Sequence, residues 1–434
     1  MRVAFYTLGC RVNQYESEAM AEKFIKDGYE VVDYSDFADV YVINTCTVTN
    51  MGDKKSRQII NRAKKENSEA IVAVVGCYSQ IATNEVSSID SVDVVLGTRN
   101  KGDIVYYVNK ARETQEKQVV VNEVLRNKVF EDLDIEEYQD KTRAFLKIQD
   151  GCNRFCTYCL IPFARGNICS KNPQKVLNEV ERLASHGFKE VILSGIHIAS
   201  YGMEFDEQYT LVDLLEKIEE IDGIERVRIG SIEPKFFTDD VISRIKKMKK
   251  LCPHFHLSLQ SGCTSVLSRM NRRYTADEYE KIVRLLRENI KDVSITTDVI
   301  VGFPGETDTE FNETYEFLKR IKLTKTHVFK YSKREGTKAA VMPNQVDGNI
   351  KEIRSKKLIE LNDINEEAFT KNLIGNEVYV LIEQKVKNTE NTYEGYTSNY
   401  VKVEINNCNE NMKGNIIKCR ITDNKGSIAI ASLV

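Results

Sequence analysis

A chain of 434 residues is too long for a single hydrophobic core, since such cores stop growing near ~250–300 residues, so two or three domains are expected. Its 62 Lys and Arg nearly balance 65 Asp and Glu, a net charge of −3, which excludes a bulk field for nucleic acid and leaves any RNA contact to local patches. Eleven cysteines diluted over this length argue against a disulfide-built secreted fold; Met1-Arg2 runs directly into the short apolar stretch Val3-Ala4-Phe5-Tyr6, unlike a signal peptide. No apolar run approaches the roughly 18–20 residues a membrane helix needs, and the expectation is a reducing, cytoplasmic protein without a membrane partner.

Residues 1–125 alternate short β-rich runs with helical stretches: Val3–Leu8, a helix near Glu16–Asp27, Val40–Asn44, a helix near Asp53–Glu66, Ala70–Val75 and Val92–Leu96. This alternation predicts an α/β domain with a parallel sheet. Three strands end in a cysteine: Cys10 after Thr7-Leu8-Gly9, Cys46 after Asn44-Thr45, and Cys77 after Val75-Gly76. Carboxyl ends of strands in an open α/β sheet line one edge, where ligands bind, so the three thiols are expected to converge. A lone cysteine at a strand end is often merely buried. Three in the same placement make a three-cysteine cluster site the better reading.

Residues 126–143 are expected to be a linker, because Glu131–Asp140 holds six acids and no base and reads as an exposed connector. From 144 to 370 the rhythm resumes for six units: Ala144–Gln149, Glu190–His197, Arg226–Glu233, His254–Gln260, Ser294–Val301 and Thr326–Tyr331. Helical stretches between them include Gln174–His186, Leu211–Ile221, Asp239–Lys249, Ala276–Glu288 and Glu306–Ile321, and a charged helix, Asn349–Phe369, closes the domain. Six repeats predict a partial (β/α)6 barrel, with its site at the carboxyl ends of the strands.

Directly after the first of these strands comes Gly151-Cys152-Asn153-Arg154-Phe155-Cys156-Thr157-Tyr158-Cys159. The CxxxCxxC spacing points to an iron–sulfur cluster, in which three thiolates on a four-iron cubane leave one iron for another ligand. Structural zinc sites prefer paired CxxC or Cys/His sets, and no histidine lies within twenty residues of this triplet. Three unrelated core cysteines fit worse still, because Asn, Arg, Thr and Tyr among them do not make a core segment. Candidate cofactor contacts are Ser194 and Gly195, Ser258 and Gln260 at strand ends, Asp298 within the fifth strand, and Tyr158 beside Cys159 through its backbone. Ordinary strand-end hydrogen bonding is the competing reading for each. Gly302-Phe303-Pro304-Gly305-Glu306 lacks the Lys-Ser/Thr ending of a phosphate loop and reads as a strand-to-helix turn. Cys169, Cys252, Cys263, Cys408, Cys419 and the five histidines read as structural, including His254 and His256 on one strand face.

Residues 371–434 change character to five short β runs, Glu377–Ile382, Thr392–Thr397, Tyr400–Glu404, Ile416–Ile421 and Ser427–Ala431, which predict a small β-barrel. Seven Lys/Arg against seven Asp/Glu from Gly375 onward give it no basic surface, so RNA contact would need a local face such as Tyr393, Tyr396, Tyr400, Lys402 and Arg420.

The stretch Gly151 to Gly166, GCNRFCTYCLIPFARG, resembles the radical S-adenosylmethionine enzymes and, more narrowly, their methylthiotransferase branch. TLGCRVNQYES around Cys10, INTCTVTN around Cys46 and VVGCYSQ around Cys77 are similar to the amino-terminal domain of that branch, and Tyr393–Val401 to the RNA-binding TRAM barrel. Tyr331–Thr337 matches the motif that ends the family's barrel. The resemblance covers nearly the whole chain. It implies two [4Fe-4S] clusters, a radical-generating one on Cys152, Cys156 and Cys159 and an auxiliary one on Cys10, Cys46 and Cys77. It also implies S-adenosyl-L-methionine chelated at the open barrel iron and cleaved to a deoxyadenosyl radical, with a second molecule as methyl donor. An electron donor and a sulfur source are implied without being identified.

The implied activity is methylthiolation at carbon 2 of a modified adenosine. GCRVNQ, CTVTN and Asp53-Lys54-Lys55-Ser56-Arg57-Gln58 resemble the branch acting on N6-threonylcarbamoyladenosine at position 37 in the tRNA anticodon loop. The branch acting on isopentenyladenosine usually has an arginine-acid pair where this chain has Thr49-Asn50, and a third branch modifies an aspartate of a ribosomal protein. A reading from another class, a non-catalytic iron–sulfur RNA-binding protein, does not account for a second complete cysteine triplet.

Overall fold

Six parallel strands form the amino-terminal sheet in the spatial order Glu30–Val32, Arg2–Thr7, Val40–Thr45, Ile71–Gly76, Val94–Leu96 and Gln118–Val120. In the computed structural model, residues 1–47, 50–135 and 142–434 are described, apart from the side chains of 50, 51, 53 and 54. Val40–Thr45 and Ile71–Gly76 are buried along their whole length, as strands covered on both faces must be. Helices Arg11–Lys26 and Ile104–Thr114 bury Met20, Phe24, Val108 and Ala111 on one face of the sheet, and Asn50–Glu66 buries Ile60 and Ala63 on the other. The outer strands Glu30–Val32 and Gln118–Val120 and the helix Ile104–Thr114 were not expected from sequence; three-residue strands are too short to show a period. Strand order reverses between Arg2–Thr7 and Val40–Thr45, which makes the ends bearing Cys10 and Cys46 the sheet's switch point.

The second unit has six parallel strands, side by side in chain order: Arg143–Lys147, Glu190–Ser194, Arg226–Ile229, His254–His256, Ser294–Val301 and Lys325–Lys330. Single bridges, Val227 to Leu251 and Ile232 to Leu257, join its two three-stranded halves. Among the described residues no ladder joins the first strand to the last, so the (β/α)6 barrel is open. Helix Arg11–Lys26 serves both units: Met20 and Phe24 pack in the amino-terminal core, while Tyr15 and Ala19 belong to the barrel's core with Leu146 and Val180.

The segment at Glu131 is no exposed connector where it is described. Leu133 and Ile135 are buried in the barrel core, and Tyr15 Oη donates to the Leu133 carbonyl at 2.5 Å. Asp132 and Asp134 lie 3.2 and 2.7 Å from the buried ammonium of Lys171. The acids have internal partners and the alternating apolar residues plug into the core, a pairing that a charge count does not show. The rest of that stretch, residues 136–141, lies outside the described residues.

Helix Gly348–Lys371 lays Leu358 and Leu361 against the barrel core and leads into a closed five-stranded β-barrel ordered Glu377–Lys385, Tyr393–Thr397, Lys402–Ile405, Ile428–Leu433 and Ile416–Lys425. This small barrel docks at the amino ends of the large barrel's strands, with Arg143 Nε 2.6 Å from Glu383 and Arg226 donating to the carbonyls of Tyr379 and Tyr396. The five residues expected to offer an RNA face do not share one. Tyr393 is buried and donates to Glu410 at 2.7 Å, Tyr396 and Tyr400 pack against Arg143, and Lys402 and Arg420 are paired with Glu394 and Glu377.

Candidate active site between the two cysteine triplets

Each triplet sits where the topology gathers strand ends. At the amino-terminal edge, Gly9 has φ +102°, and a Cβ there would lie 2.9 Å from Cys46 Sγ; only glycine lets the first strand's end approach Cys46. Asn13 Nδ2 donates to the carbonyls of Leu8 at 2.7 Å and Thr45 at 3.0 Å, tying together the strand ends that carry Cys10 and Cys46. Cys46 and Cys77 are buried and Cys10 is exposed. Burial pushes the Cys77 thiol above its ordinary pKa, against the pull of Arg165.

The barrel triplet lies on the loop after Arg143–Lys147. Gly151, at φ +73°, has no room for a side chain, because a Cβ would sit 1.9 Å from the Asn167 carbonyl oxygen. Cys152 N donates to Gly166 O at 3.0 Å and Thr157 N to Met270 O at 3.1 Å, fixing both ends of the loop. Donors aim at its sulfurs: Ile161 N at Cys159 Sγ, 3.4 Å, Arg272 Nη1 at Cys156 Sγ, 3.3 Å, and the Arg154 backbone N–H at Cys152. Burial raises Cys152 to about 11 and Cys159 to about 12, so as free thiols they stay protonated at neutral pH. Hydrogen bonds to cysteinyl sulfur are the contacts that tune an iron–sulfur cluster, and this set fits one. Among the described residues no three His, Cys, Asp or Glu side chains close on one metal ion.

Arg165, at the end of the short helix Ile161–Arg165, connects the triplets. Its Nε points at Cys77 Sγ at 3.4 Å, Nη2 donates to Asn13 Oδ1 at 2.5 Å, and Nη1 and Nη2 fork onto Glu16 at 2.6 and 3.1 Å. Asp150 lies 3.2 Å from Nη1, Lys147 bridges Glu16 and Asp150 at 2.8 and 2.7 Å, and Lys101 reaches Glu16 at 3.0 Å. All of these charged side chains are buried. A second tie runs from Tyr331–Thr337: Arg334 Nη2 donates to Thr47 Oγ1, beside Cys46, at 2.6 Å, while Ala339 N donates to the Thr157 carbonyl in the barrel triplet.

Although burial opposes its charge, Arg165, Lys101 and Lys147 hold Glu16 well below the ordinary carboxylate range. A carboxylate depressed in the folded state stabilises the fold fully above its unfolded value, near ~4.3, and loses that contribution as pH falls through the folded value. Near-ultraviolet circular dichroism of the tyrosines is therefore expected to be flat down to about pH 4 and to decline below it, earlier than helix content at 222 nm, as the two units separate. A near-ultraviolet signal that falls together with the helix signal, and not ahead of it, would mean that protonation of the network does not separate the units.

A cavity of about 230 Å³ opens inside the barrel, walled by Cys10, Arg11, Ser194, Gly195, Arg228 and His256. Two larger clefts, of about 680 and 590 Å³, lie along outer helices and beside the docked small barrel, away from both triplets, so size does not mark the site. Of the residues expected to contact cofactor, Ser194 and Gly195 line the cavity, and Asp298 reaches its edge through His256 Nε2 at 3.2 Å. The Tyr158 side chain turns toward the apolar cluster of Phe303 and Tyr331, while its backbone, the part expected to meet the cofactor, stays on the triplet loop; Ser258 offers its carbonyl to Arg272, and Gln260 at φ +72° bonds through its backbone to Asp298.

Sequence reasoning passed over the charged rim of the barrel triplet. Glu233 takes Arg154 at 2.7 Å, His197 at 3.1 Å and Arg272 at 3.6 Å, and these hold its carboxyl at about 2 despite burial. Arg154 lies inside the triplet and Glu233 ends the third predicted strand, so position alone was the available signal. Arg11 was likewise visible only as the neighbour of Cys10. Partial burial, with Arg143 and Arg228 nearby, pushes it below its ordinary value.

A model of the radical SAM superfamily matches residues 146–318, and one of an uncharacterized protein family, UPF0004, matches residues 2–97. The chain is 43% identical over 422 residues to the threonylcarbamoyladenosine tRNA methylthiotransferase MtaB of Bacillus subtilis, across 96% of this chain and 93% of that protein. It is 44% identical over 404 residues to MtaB of Aquifex aeolicus, across 93% and 98%. Against the tRNA-2-methylthio-N(6)-dimethylallyladenosine synthase of Thermoanaerobacter pseudethanolicus, identity is 36% over 426 residues, across 96% and 90%. The radical S-adenosylmethionine methyltransferase TsrM of Kitasatospora setae, solved with cobalamin and a [4Fe-4S] cluster, superposes with a TM-score of 0.57 over 78% of this chain and 77% of its own at 15% identity, a likeness of fold alone. With this sequence identity across almost its whole length, the chain belongs to the radical S-adenosylmethionine methylthiotransferase family.

Proposed function

We propose that this enzyme converts N6-threonylcarbamoyladenosine at position 37 of tRNA to its 2-methylthio derivative, in the cytoplasm where tRNA is modified. The observation that carries the reading is the approach of the two triplets: six residues after Cys159, the Arg165 guanidinium already touches Cys77. Cys152, Cys156 and Cys159 would hold the cluster that family membership implies, and Cys10, Cys46 and Cys77 a second one. When bound, these groups and S-adenosylmethionine supply the radical and the methylated sulfur. The chain's own part is placement. Arg272 and Ile161 N donate to barrel sulfurs, Arg165 donates to a sulfur of the other triplet, and the Arg165–Asn13 and Arg334–Thr47 contacts hold the amino-terminal edge against the barrel. The cavity inside the barrel, with Cys10 on its wall, would receive the adenosine. No side chain needs to act as general acid or base in this reading, and the electron donor and immediate sulfur source are left to partners.

Mass spectrometry of nucleosides from total tRNA of cells with and without the protein tests it. Loss of the 2-methylthio form with accumulation of threonylcarbamoyladenosine is the expected result. Accumulation of isopentenyladenosine would keep the reaction and overturn the substrate. An unchanged nucleoside profile would direct attention to a ribosomal-protein aspartate and then to a non-catalytic role.

A further inference from the structure

Among the described residues, two guanidinium groups that line the barrel cavity have no carboxylate partner. Arg11, exposed at the cavity's mouth, lies over the Phe145 ring at 4.6 Å and donates to Gln14 Oε1 at 2.9 Å, a neutral acceptor. Arg228, half-buried on the facing wall, stacks on Tyr400 at 3.9 Å and donates Nε to His254 Nδ1 at 3.3 Å, an imidazole that burial and Arg228 itself keep neutral. The third nearby guanidinium, Arg143, is tied to Glu383, and the nearby carboxylate of Asp298 is taken by His256. Among the described residues no carboxylate lies within 4.0 Å of Arg11 or Arg228. The buried cations Lys101, Lys147, Arg165 and Arg354 each have a carboxylate at 3.0 Å or closer, and buried Arg99 is held by four carbonyls. Two like charges facing one confined space without a counter-ion make a site that an anion completes.

We propose that Arg11 and Arg228 seat the carboxylate of the threonylcarbamoyl group and thereby decide which adenosine derivative enters the cavity. The inference rests on the substrate reading above and assigns its specificity to two residues. The threonylcarbamoyl group ends in a carboxylate; an isopentenyl group ends in methyls. Guanidinium forks match a carboxylate in charge and geometry, whereas an apolar group pressed against them strips their water and returns no hydrogen bond. Phe145 and Ile192 supply the apolar wall on which the rest of the side group lies.

Fluorescence anisotropy with labelled anticodon stem-loops tests the assignment on the reconstituted enzyme, using RNA that carries threonylcarbamoyladenosine, its methyl ester, or unmodified adenosine. The native enzyme is expected to bind the acid at least about tenfold more tightly than the ester. In Arg11→Gln and Arg228→Gln that ratio is expected to fall toward one while ester affinity stays near native, and Arg11→Lys is expected to keep part of it. Ester binding reports folding in each variant, and the acid-to-ester comparison in the native enzyme needs no variant. Equal native affinity for acid and ester overturns the inference, as does a ratio that survives both glutamine substitutions. Failure of the substrate reading looks different: native enzyme would then methylthiolate isopentenyladenosine RNA and leave threonylcarbamoyladenosine RNA unmodified.

Discussion

Replacing Arg165 with methionine is expected to destabilise the enzyme by ~3–5 kcal/mol, the usual cost of removing one partner from a buried ion pair. The side chain is fully buried, and its loss strands two carboxylates and an amide oxygen, Glu16, Asp150 and Asn13 Oδ1, with Lys147 and Lys101 as the remaining cations. Methionine fills similar volume, so the effect is electrostatic, without a large cavity term. A melt of the reconstituted enzyme is expected to shift down by on the order of 10 °C for units of this size. Arg165→Lys keeps the charge but loses the fork that reaches Glu16, Asn13 and Cys77 together, and should fall between. A Glu16→Gln, Arg165→Met double variant should lose less than the sum of the single losses, because the second change removes a charge the first left unpaired. A methionine variant that melts with the native enzyme would show that the joint between the units is carried by its other contacts, such as the packing of Tyr15 and Ala19 and the Arg334–Thr47 hydrogen bond.

That joint shows where the sequence was readable. Repeating strands and helices, the CxxxCxxC spacing and the cysteine at three strand ends are local patterns, and each points to the element or edge on which the structure places it. Contacts between units leave no such pattern. Arg165 pairs with Glu16 across 149 positions and Arg334 with Thr47 across 287, so neither partner can be read from its neighbours. Tyr15 illustrates a helix whose period is plain but whose two apolar faces serve two different cores. The acidic run at Glu131 misled for the same reason: Lys171, which partners Asp132 and Asp134, lies about forty positions downstream and is itself buried. Tyr400, one of the residues a local RNA face would need, is turned by the small barrel to Arg228 and His254, the ordinary packing that competes with RNA contact for any one such residue.

Alanine at Cys10, Cys46 and Cys77 together is expected to abolish methylthio transfer to tRNA while S-adenosylmethionine cleavage to deoxyadenosine persists, and to halve the iron bound per chain. The separation follows from geometry. The barrel triplet is fixed by contacts within its own unit, Cys152 to Gly166, Thr157 to Met270 and Arg272 to Cys156, none of which involves the amino-terminal cysteines. The amino-terminal thiols end three strands of a different sheet. Loss of Cys77 removes the acceptor of Arg165 Nε, but the fork onto Glu16 remains, so the two units stay joined. Buried Cys-to-Ala changes cost packing as well, and a thermal melt of the triple variant separates that cost from loss of transfer. Two assays on one preparation decide the matter: deoxyadenosine by chromatography and 2-methylthio nucleoside by mass spectrometry. Product formed at the native rate would remove the second cluster from the proposal. Loss of both deoxyadenosine and product in a variant that melts normally would mean that the amino-terminal edge is needed to complete the barrel's own site, a tighter coupling than Arg165 alone provides.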